Sequence, residues 1–448
     1  MLSKNRGKIA LISVHGDPAA NIGKEEAGGQ NVYVRQVGKE LARQGWQVDM
    51  FTRRTSAEQA EIVEHITGCR TIRLTAGPQA FVERDRLFDH LPEFVNAFLD
   101  FQALNNTIYP VVHTNYWLSA WVGMELRKHQ LIKLVHTYHS LGAVKYKSVE
   151  NIPAIASTRL QVEKNCLETA DAIVATSPQE RDHMRSLVSE KGHIEVIPCG
   201  TDIERFGSID RAAARQKLHL DPEAKIVFYA GRFDPRKGIE TLVRAVGRSE
   251  VRQSDSLQLI IAGGSRPGHK DGRERDRIEG IVTQLGLEKQ TSFAGRLDHG
   301  QLSTYYAAAD VCVVPSHYEP FGLVAIEAMA SATPVIASDV GGLKFSVADG
   351  ETGFLVPPKD EAAFAKAIDR VLQNQMWRER MSEAARRRVE THFSWDGVAQ
   401  QLDELYVGQI DSLTQAFFSN NAVSQFRSPI GSAKPSQNLK AAMGTSKR

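Results

Sequence analysis

With 448 residues, 42% of them hydrophobic and 24% charged, the chain has the composition of a globular protein with material for two or three domains. Lys and Arg number 55 against 53 Asp and Glu, a net charge of +2, which argues against a general polyanion binder but leaves room for a local basic patch. Cys69, Cys166, Cys199 and Cys312 form no Cys-x-x-Cys pair, so neither a thiolate zinc site nor a disulfide framework is expected, and no apolar run approaches the ~18 residues of a membrane span.

Lys4, Arg6 and Lys8 precede a short apolar segment that has no small-residue cleavage site and leads into a polar glycine loop. A first strand over 8–14 is therefore predicted rather than a signal peptide, with a cytoplasmic location. Residues 32–43 place Val34, Val37 and Leu41 on one helical face, Gly45 ends that helix, and 47–52 resumes as a strand. Further strands are predicted over 111–113, 132–136 and 172–177. Ser177-Pro178-Gln179-Glu180 reads as a capping box, with Ser as N-cap, Pro at the first helical position and Glu reaching back. After an irregular stretch over 201–222 a second series follows, with strands over 226–230, 257–262, 311–315, 335–337 and 354–356. Alternating βα units imply two doubly wound parallel sheets, whose ligands bind at the carboxyl ends of the strands in the cleft between them. From Asn421 onward the chain carries five basic residues and no acid among Ser, Asn, Gln and Ala, so a solvated, disordered tail is expected over 421–448.

Four segments at predicted strand ends carry chemistry. The loop over 21–31 holds adjacent Gly28 and Gly29, which let backbone amides approach a ligand; a structural turn and an anion site both fit it, and it is not a dinucleotide G-x-G-x-x-G. In Gly231-Arg232-Phe233-Asp234-Pro235-Arg236-Lys237-Gly238, two cations five residues apart can bracket a diphosphate, though solvated surface charge fits as well. In Ser316-His317-Tyr318-Glu319-Pro320-Phe321-Gly322-Leu323, Gly322 and Leu323 fall at a predicted helix N-terminus. Glu327 lies one turn further along the same face, where its carboxylate could accept two ribose hydroxyls, and Glu319 stays in the loop. His139, in His136-Thr137-Tyr138-His139-Ser140-Leu141-Gly142, would face the cleft from a strand's carboxyl end, where a histidine is more often a structural hydrogen-bonder than a catalyst. No zincin, G-x-S-x-G or P-loop signature occurs.

Together these segments resemble the retaining glycosyltransferases of the GT-B fold, in the large family 4 grouping. The resemblance rests on Gly28-Gly29-Gln30, His139, Arg232 with Lys237, and Glu319 with Glu327 in an E-x7-E pattern. The phrases VIPCGTDIERF (196–206) and FGLVAIEAMA (321–330) also match, and the resemblance covers about residues 8–410. It implies an N-terminal acceptor domain over 1–205, completed by a returning helix over 396–416, and a nucleotide-sugar domain over 206–395. Arg232 and Lys237 would hold the donor diphosphate and Glu327 the ribose. Glu319, with backbone from Phe321, Gly322 and Leu323, would hold the transferred sugar, and His139 would meet it near the 6-hydroxyl. Gly29 would lie against the phosphate, with Gly28, Gln30, Asn31, Arg84, Tyr116 and Arg159 toward the acceptor. Gly-Gly-Gln and His-Ser-Leu-Gly are similar to the sucrose-forming branch, which implies glucose transfer from UDP- or ADP-glucose to fructose 6-phosphate. Asn31 and Tyr116-Trp117-Leu118-Ser119 are similar to the branch that moves GlcNAc onto an inositol phosphate, and free fructose is the acceptor of a third. A nucleotide-sugar binder without transfer and a Rossmann dehydrogenase are the alternatives of other classes. The resemblance implies no required cofactor and no bound metal, Mg2+ being at most a stimulant, and no nucleic-acid or membrane partner.

Overall fold

The computed structural model describes residues 6–20, 28–148, 151–253 and 256–425; of residues 416–425 only the backbone course is described. The loop over 21–27 and the tail beyond 425 lie outside these residues, and with them most of the expectation of a disordered tail.

Alternation along each strand sends successive side chains to opposite faces. In β1 (Gly7–Ile12), Ile9 and Leu11 join one apolar cluster with Tyr33, Val34 and Val48, while Ala10 and Ile12 join another with Phe51, Phe94 and Trp117. A strand buried on both faces belongs inside a sheet covered by helices on either side. The remaining strands of this sheet are β2 (Trp46–Arg53), β3 (Ile62–Ile66), β4 (Cys69–Leu74), β5 (Val111–Asn115), β6 (Lys133–Thr137), β7 (Ala172–Ala175) and β8 (Ile194–Val196). Their order is β3-β4-β2-β1-β5-β6-β7-β8, parallel except for the β3–β4 pair. That antiparallel edge hairpin is absent from the sequence reading: β3 is only IVEHI, exposed or half-buried throughout, and Glu64 and His65 split its apolar residues so that no clean alternation shows.

The second sheet has six strands, β9 (Lys225–Ala230), β10 (Leu257–Ala262), β11 (Thr291–Gly295), β12 (Val311–Val314), β13 (Val335–Ser338) and β14 (Gly353–Val356), in the order β11-β10-β9-β12-β13-β14. It too is parallel, with Ile226 and Phe228 of β9 facing one cluster and Val227 and Tyr229 the other. In each sheet the order reverses beside the first strand, which opens a crevice at the carboxyl ends. All four cysteines are buried and unbridged.

Two crossing segments join the halves. Thr201 N donates to Phe393 O at 2.8 Å, and Gly200 packs so closely on the Trp395 ring that a Cβ there would come within 2.7 Å. The Trp395–Gln425 helix then lies on the first domain. Asp403 accepts from Trp46 Nε1 at 2.8 Å and pairs with Arg6 at 2.7 Å, and Tyr406 shares a hydrogen bond with His113 Nδ1 of β5 at 2.5 Å. Among the described residues no helix is long and apolar enough to cross a membrane.

Candidate functional site

The Gly29–Arg43 helix begins at the carboxyl end of β1, with Gly28 as its N-cap. Asn31 closes that turn: its Oδ1 accepts from Gly28 N at 3.1 Å and its Nδ2 donates to Asp17 O at 2.9 Å, so its amide shapes the loop from within. Gln30 likewise ties strand ends together, donating to Ser13 Oγ at 3.0 Å and to Asn115 O at 3.4 Å. Across the cleft the Leu323–Ala330 helix starts behind Gly322, whose φ is +89° and where a Cβ would come within 2.5 Å of Leu343 Cδ2. The two helix N-termini face each other. A Cβ on Gly29 would stand 3.0 Å from Leu323 Cδ1. Each N-terminus presents free amides and roughly half a positive charge, so the space between them favours an anion.

The second domain adds cations to this space. The 3-10 turn Pro235–Lys237 is clamped to the next loop by His317 N donating to Arg236 O at 2.8 Å, and Gly238, at φ +69°, sits with its Cα hydrogens against Pro315 O. That clamp brings Lys237 Nζ to 2.5 Å from Glu319 Oε2, while Gly342 N holds the Glu319 carbonyl at 3.0 Å. The Arg232 guanidinium has no hydrogen-bond partner among the described residues. Glu327 lies on the helix face below Leu323. Tyr306 donates to its Oε2 at 3.1 Å, and burial pushes the carboxyl up to about 7. Phe321 anchors the loop by packing on Phe393, ring centroids 5.9 Å apart.

On the first domain, two non-glycine residues in the left-handed region stand at adjacent strand ends, Tyr116 after β5 at φ +72° and His139 after β6 at φ +57°. His139 is half-buried and edge-on to Tyr33, and burial lowers its pKa to about 3. Arg159 is fully buried. It donates Nε to Glu163 at 2.7 Å, Nη1 to Tyr116 Oη at 3.0 Å and Nη2 to Ser140 O at 2.6 Å, and it lies over the rings of Tyr116 and Tyr146. Arg84 also lies over the Tyr116 ring, 5.8 Å from its centroid.

Three residues that the sequence reading missed complete this region. Lys145, at the end of the Gly142–Lys145 helix, has its pKa lowered to about 8, by burial first and then by Arg159, Arg84 and Arg236. His15 packs 4.6 Å from Tyr116, with its buried Nδ1 unpartnered. Burial, then Arg84, His139 and Arg159, hold its pKa well below the usual histidine range. Asn115 receives the His139 Nε2 hydrogen bond at 2.8 Å. Each comes from a different passage of the chain, His15 after β1, Asn115 at the end of β5 and Lys145 from the short helix after β6, and none stands in a local pattern that marks it. Arg84, Lys145 and Arg159 around two tyrosines gather positive charge of the kind that can pair with a dianion such as a phosphate, although Arg159 already pairs with Glu163. At the expected capping box Ser177 is the N-cap, accepting from Glu180 N at 3.1 Å with Pro178 in the first turn, but Glu180 Oε2 reaches one residue further back, accepting from Thr176 N and Oγ1 at 2.6 and 2.7 Å.

Comparison with known proteins agrees with this architecture. Residues 28–200 match the glycosyl transferase 4-like domain and residues 210–388 match the glycosyl transferases group 1. D-inositol 3-phosphate glycosyltransferase of Corynebacterium glutamicum (strain R) is 37% identical over 407 residues, covering 89% of this chain and 96% of the relative. Among solved structures, sucrose-phosphate synthase from Thermosynechococcus elongatus is 51% identical with a TM-score of 0.83, covering 91% of this chain and all of that one. Anabaena HepE, solved with UDP and glucose, shares the fold at 21% identity, with a TM-score of 0.70 over 90% of this chain and 99% of its own. Two facing α/β domains, an anion-favouring cleft between their helix ends and two family models spanning both halves lead to one assignment: the chain belongs to the group 1 glycosyltransferases of the GT-B fold.

Proposed function

We propose that the protein transfers glucose, with retention at the anomeric carbon, from UDP- or ADP-glucose to fructose 6-phosphate, giving sucrose 6-phosphate. The observation that carries this reading is the 51% identity to a sucrose-phosphate synthase along that relative's whole length, in a chain whose acceptor side holds a phosphate-sized cationic cluster. The donor diphosphate lies between the two helix N-termini against Arg232 and Lys237. The ribose hydroxyls donate to Glu327, and the sugar hydroxyls meet Glu319 and the backbone of Phe321, Gly322 and Leu323. His139 contacts the sugar near its 6-hydroxyl. The acceptor phosphate is held by Arg84, Lys145 and Arg159, with Tyr116 and His15 beside it, and Gly28, Gln30 and Asn31 shape the acceptor's end of the cleft.

In this arrangement the acceptor hydroxyl attacks C1 from the face that the diphosphate leaves. The C1–O bond to the phosphate breaks as the new glycosidic bond forms, and the hydroxyl proton passes to the departing phosphate oxygen. Charge developing on that oxygen is met by Arg232, Lys237 and the helix amides, a fixed electrostatic arrangement needing no enzymatic nucleophile. The first domain, with the Trp395–Gln425 helix, acts as the acceptor half and the second as the donor half.

The inositol 3-phosphate glycosyltransferases at 35–37% identity favour a second reading, because an inositol phosphate presents the same dianion to the same cations. Incubation with UDP-glucose, ADP-glucose or UDP-GlcNAc, each with fructose 6-phosphate, fructose or inositol 3-phosphate, separates the two. Sucrose 6-phosphate is the expected product. Turnover of inositol 3-phosphate with none of fructose 6-phosphate would sink the sucrose reading.

A further inference from the structure

Asn115 is the last residue of β5 and is buried to within 1% of its surface. Its amide has only one chemically allowed orientation. The Nδ2 edge lies 3.4 Å from the carbonyl oxygens of both Ile12 and His113, and carbonyl oxygens only accept, so the NH2 group must face them. A flipped amide would set Oδ1 against two lone-pair-bearing oxygens. The backbone leaves little slack for another arrangement, since Gln30 Nε2 donates to the Asn115 carbonyl at 3.4 Å and also reaches Ser13 at the end of the neighbouring β1. Oδ1 therefore points the other way, and there it meets His139 Nε2 at 2.8 Å.

That contact determines the imidazole. An amide oxygen cannot donate, so Nε2 must carry the hydrogen. A ring kept neutral by burial, with its pKa lowered to about 3, has only one hydrogen to place. Nδ1 is then a bare lone pair, with no partner among the described residues. The left-handed backbone at His139 and the edge-on Tyr33 ring hold the imidazole in this attitude. Its titratable neighbours, His15, His113 and His136, are themselves held neutral by burial, so none supplies a charge that would protonate or reorient it.

We propose that Asn115 is a positioning residue that locks His139 as the Nε2–H tautomer, so that the nitrogen left for the donor sugar is an acceptor and the sugar must present a hydrogen-bond-donating hydroxyl at C6. This rests on the donor reading above, in which His139 meets the sugar near that hydroxyl. A 6-deoxy sugar leaves the lone pair without a donor and loses about tenfold in turnover, the equivalent of one ordinary hydrogen bond. A uronic acid sets its carboxylate against the lone pair and is rejected by more than about a hundredfold. The lock thus selects the oxidation state of C6 without any charged residue.

Two measurements test it on the full-length protein. In the wild type, 15N–1H correlation spectra of the imidazoles between pH 5 and 8, with the His139 signals identified by their loss in His139→Asn, should show a protonated Nε2 and a pyridine-type Nδ1 that does not titrate. In Asn115→Ala the two tautomers should mix and the preference for UDP-glucose over UDP-6-deoxyglucose should fall from about tenfold toward unity, with the acceptor KM unchanged. An Nδ1–H tautomer in the wild type overturns the proposal, and so does an Asn115→Ala protein that keeps both the tautomer and the preference. If the variant does not fold, the wild-type spectrum decides alone. The expected tautomer in a protein that binds neither nucleotide sugar would preserve the lock and sink the donor reading instead.

Discussion

Lys145 and Glu327 are the two site residues whose ionisation changes near neutral pH, and they titrate in opposite senses of usefulness. Lys145 must be charged to hold a phosphate dianion. With a pKa lowered to about 8 by burial and neighbouring guanidinium groups, it loses its proton as pH rises past that value, while bound phosphate would pull the pKa back up. Acceptor affinity is therefore expected to fall above about pH 8, with donor affinity unaffected, in initial-rate measurements from pH 7 to 9.5. Lys145→Ala should remove this limb and raise the acceptor KM about tenfold, the equivalent of one charge-assisted hydrogen bond. Glu327 must be ionised to accept from two hydroxyls, yet burial raises its pKa to about 7. Donor affinity should accordingly weaken as pH drops below about 7, a limb that Glu327→Gln abolishes by fixing the neutral form. At this scale the sequence was informative where chemistry is local: Arg232 with Lys237, and Glu319 with Glu327, each lie within one strand–loop–helix passage. His15, Lys145 and Asn115 gave no signal, because an ordinary His, Lys or Asn gains its meaning from strand ends that meet only after folding.

The end of β5 and the helix laid against it show how an element can carry both stability and site geometry. His113 shares hydrogen bonds with Tyr406 and, at 2.8 Å, with Thr137, and burial lowers its pKa to about 3. In the unfolded chain the same ring takes up a proton near the ordinary 6.5. The unfolded state thus binds more protons between these values, so the contribution is fully present above about pH 6.5 and is lost as pH falls. Each such histidine steepens the loss by up to about 1.4 kcal/mol per pH unit, and His139 adds a second. Urea unfolding followed from pH 7 to 4 should show this decline, and His113→Gln should flatten it by about one histidine's share. Tyr406→Phe, which keeps the packing and removes one buried hydrogen bond, should cost about 1 kcal/mol at pH 7 by the same measurement. The sequence indicated the strand by its apolar run, while the returning helix was implied only by the family resemblance. The edge hairpin β3–β4 escaped the sequence reading, because Glu64 and His65 split the apolar residues of the five-residue β3 and leave no clean alternation.

The two domains meet over a distance that one side chain would fill. Gly29 at one helix end has Leu323 of the opposing helix against it, and the Cβ of an alanine would press on Leu323 Cδ1 at 3.0 Å, inside ordinary contact distance. The end of a leucine can turn aside for one methyl, whereas valine adds two further methyl groups at the point where Leu323 already stands. Gly29→Val should therefore hold the halves apart, increasing the radius of gyration in small-angle scattering and weakening nucleotide-sugar binding by about tenfold or more, without lowering the unfolding midpoint appreciably. Along the chain, two βα series, their glycine turns and the cations at their strand ends established the class of fold and the segments that line its cleft. These are consequences of periodicity and of local turn chemistry, and both are written within a few residues. Which strand ends become neighbours, which carbonyls orient the Asn115 amide, and how close Gly29 stands to Leu323 were decided only by the tertiary structure. Those contacts join residues far apart in sequence, and the burial that shifts Lys145, Glu327 and His139 from their ordinary pKa values exists only once the sheets and the closing helix are assembled.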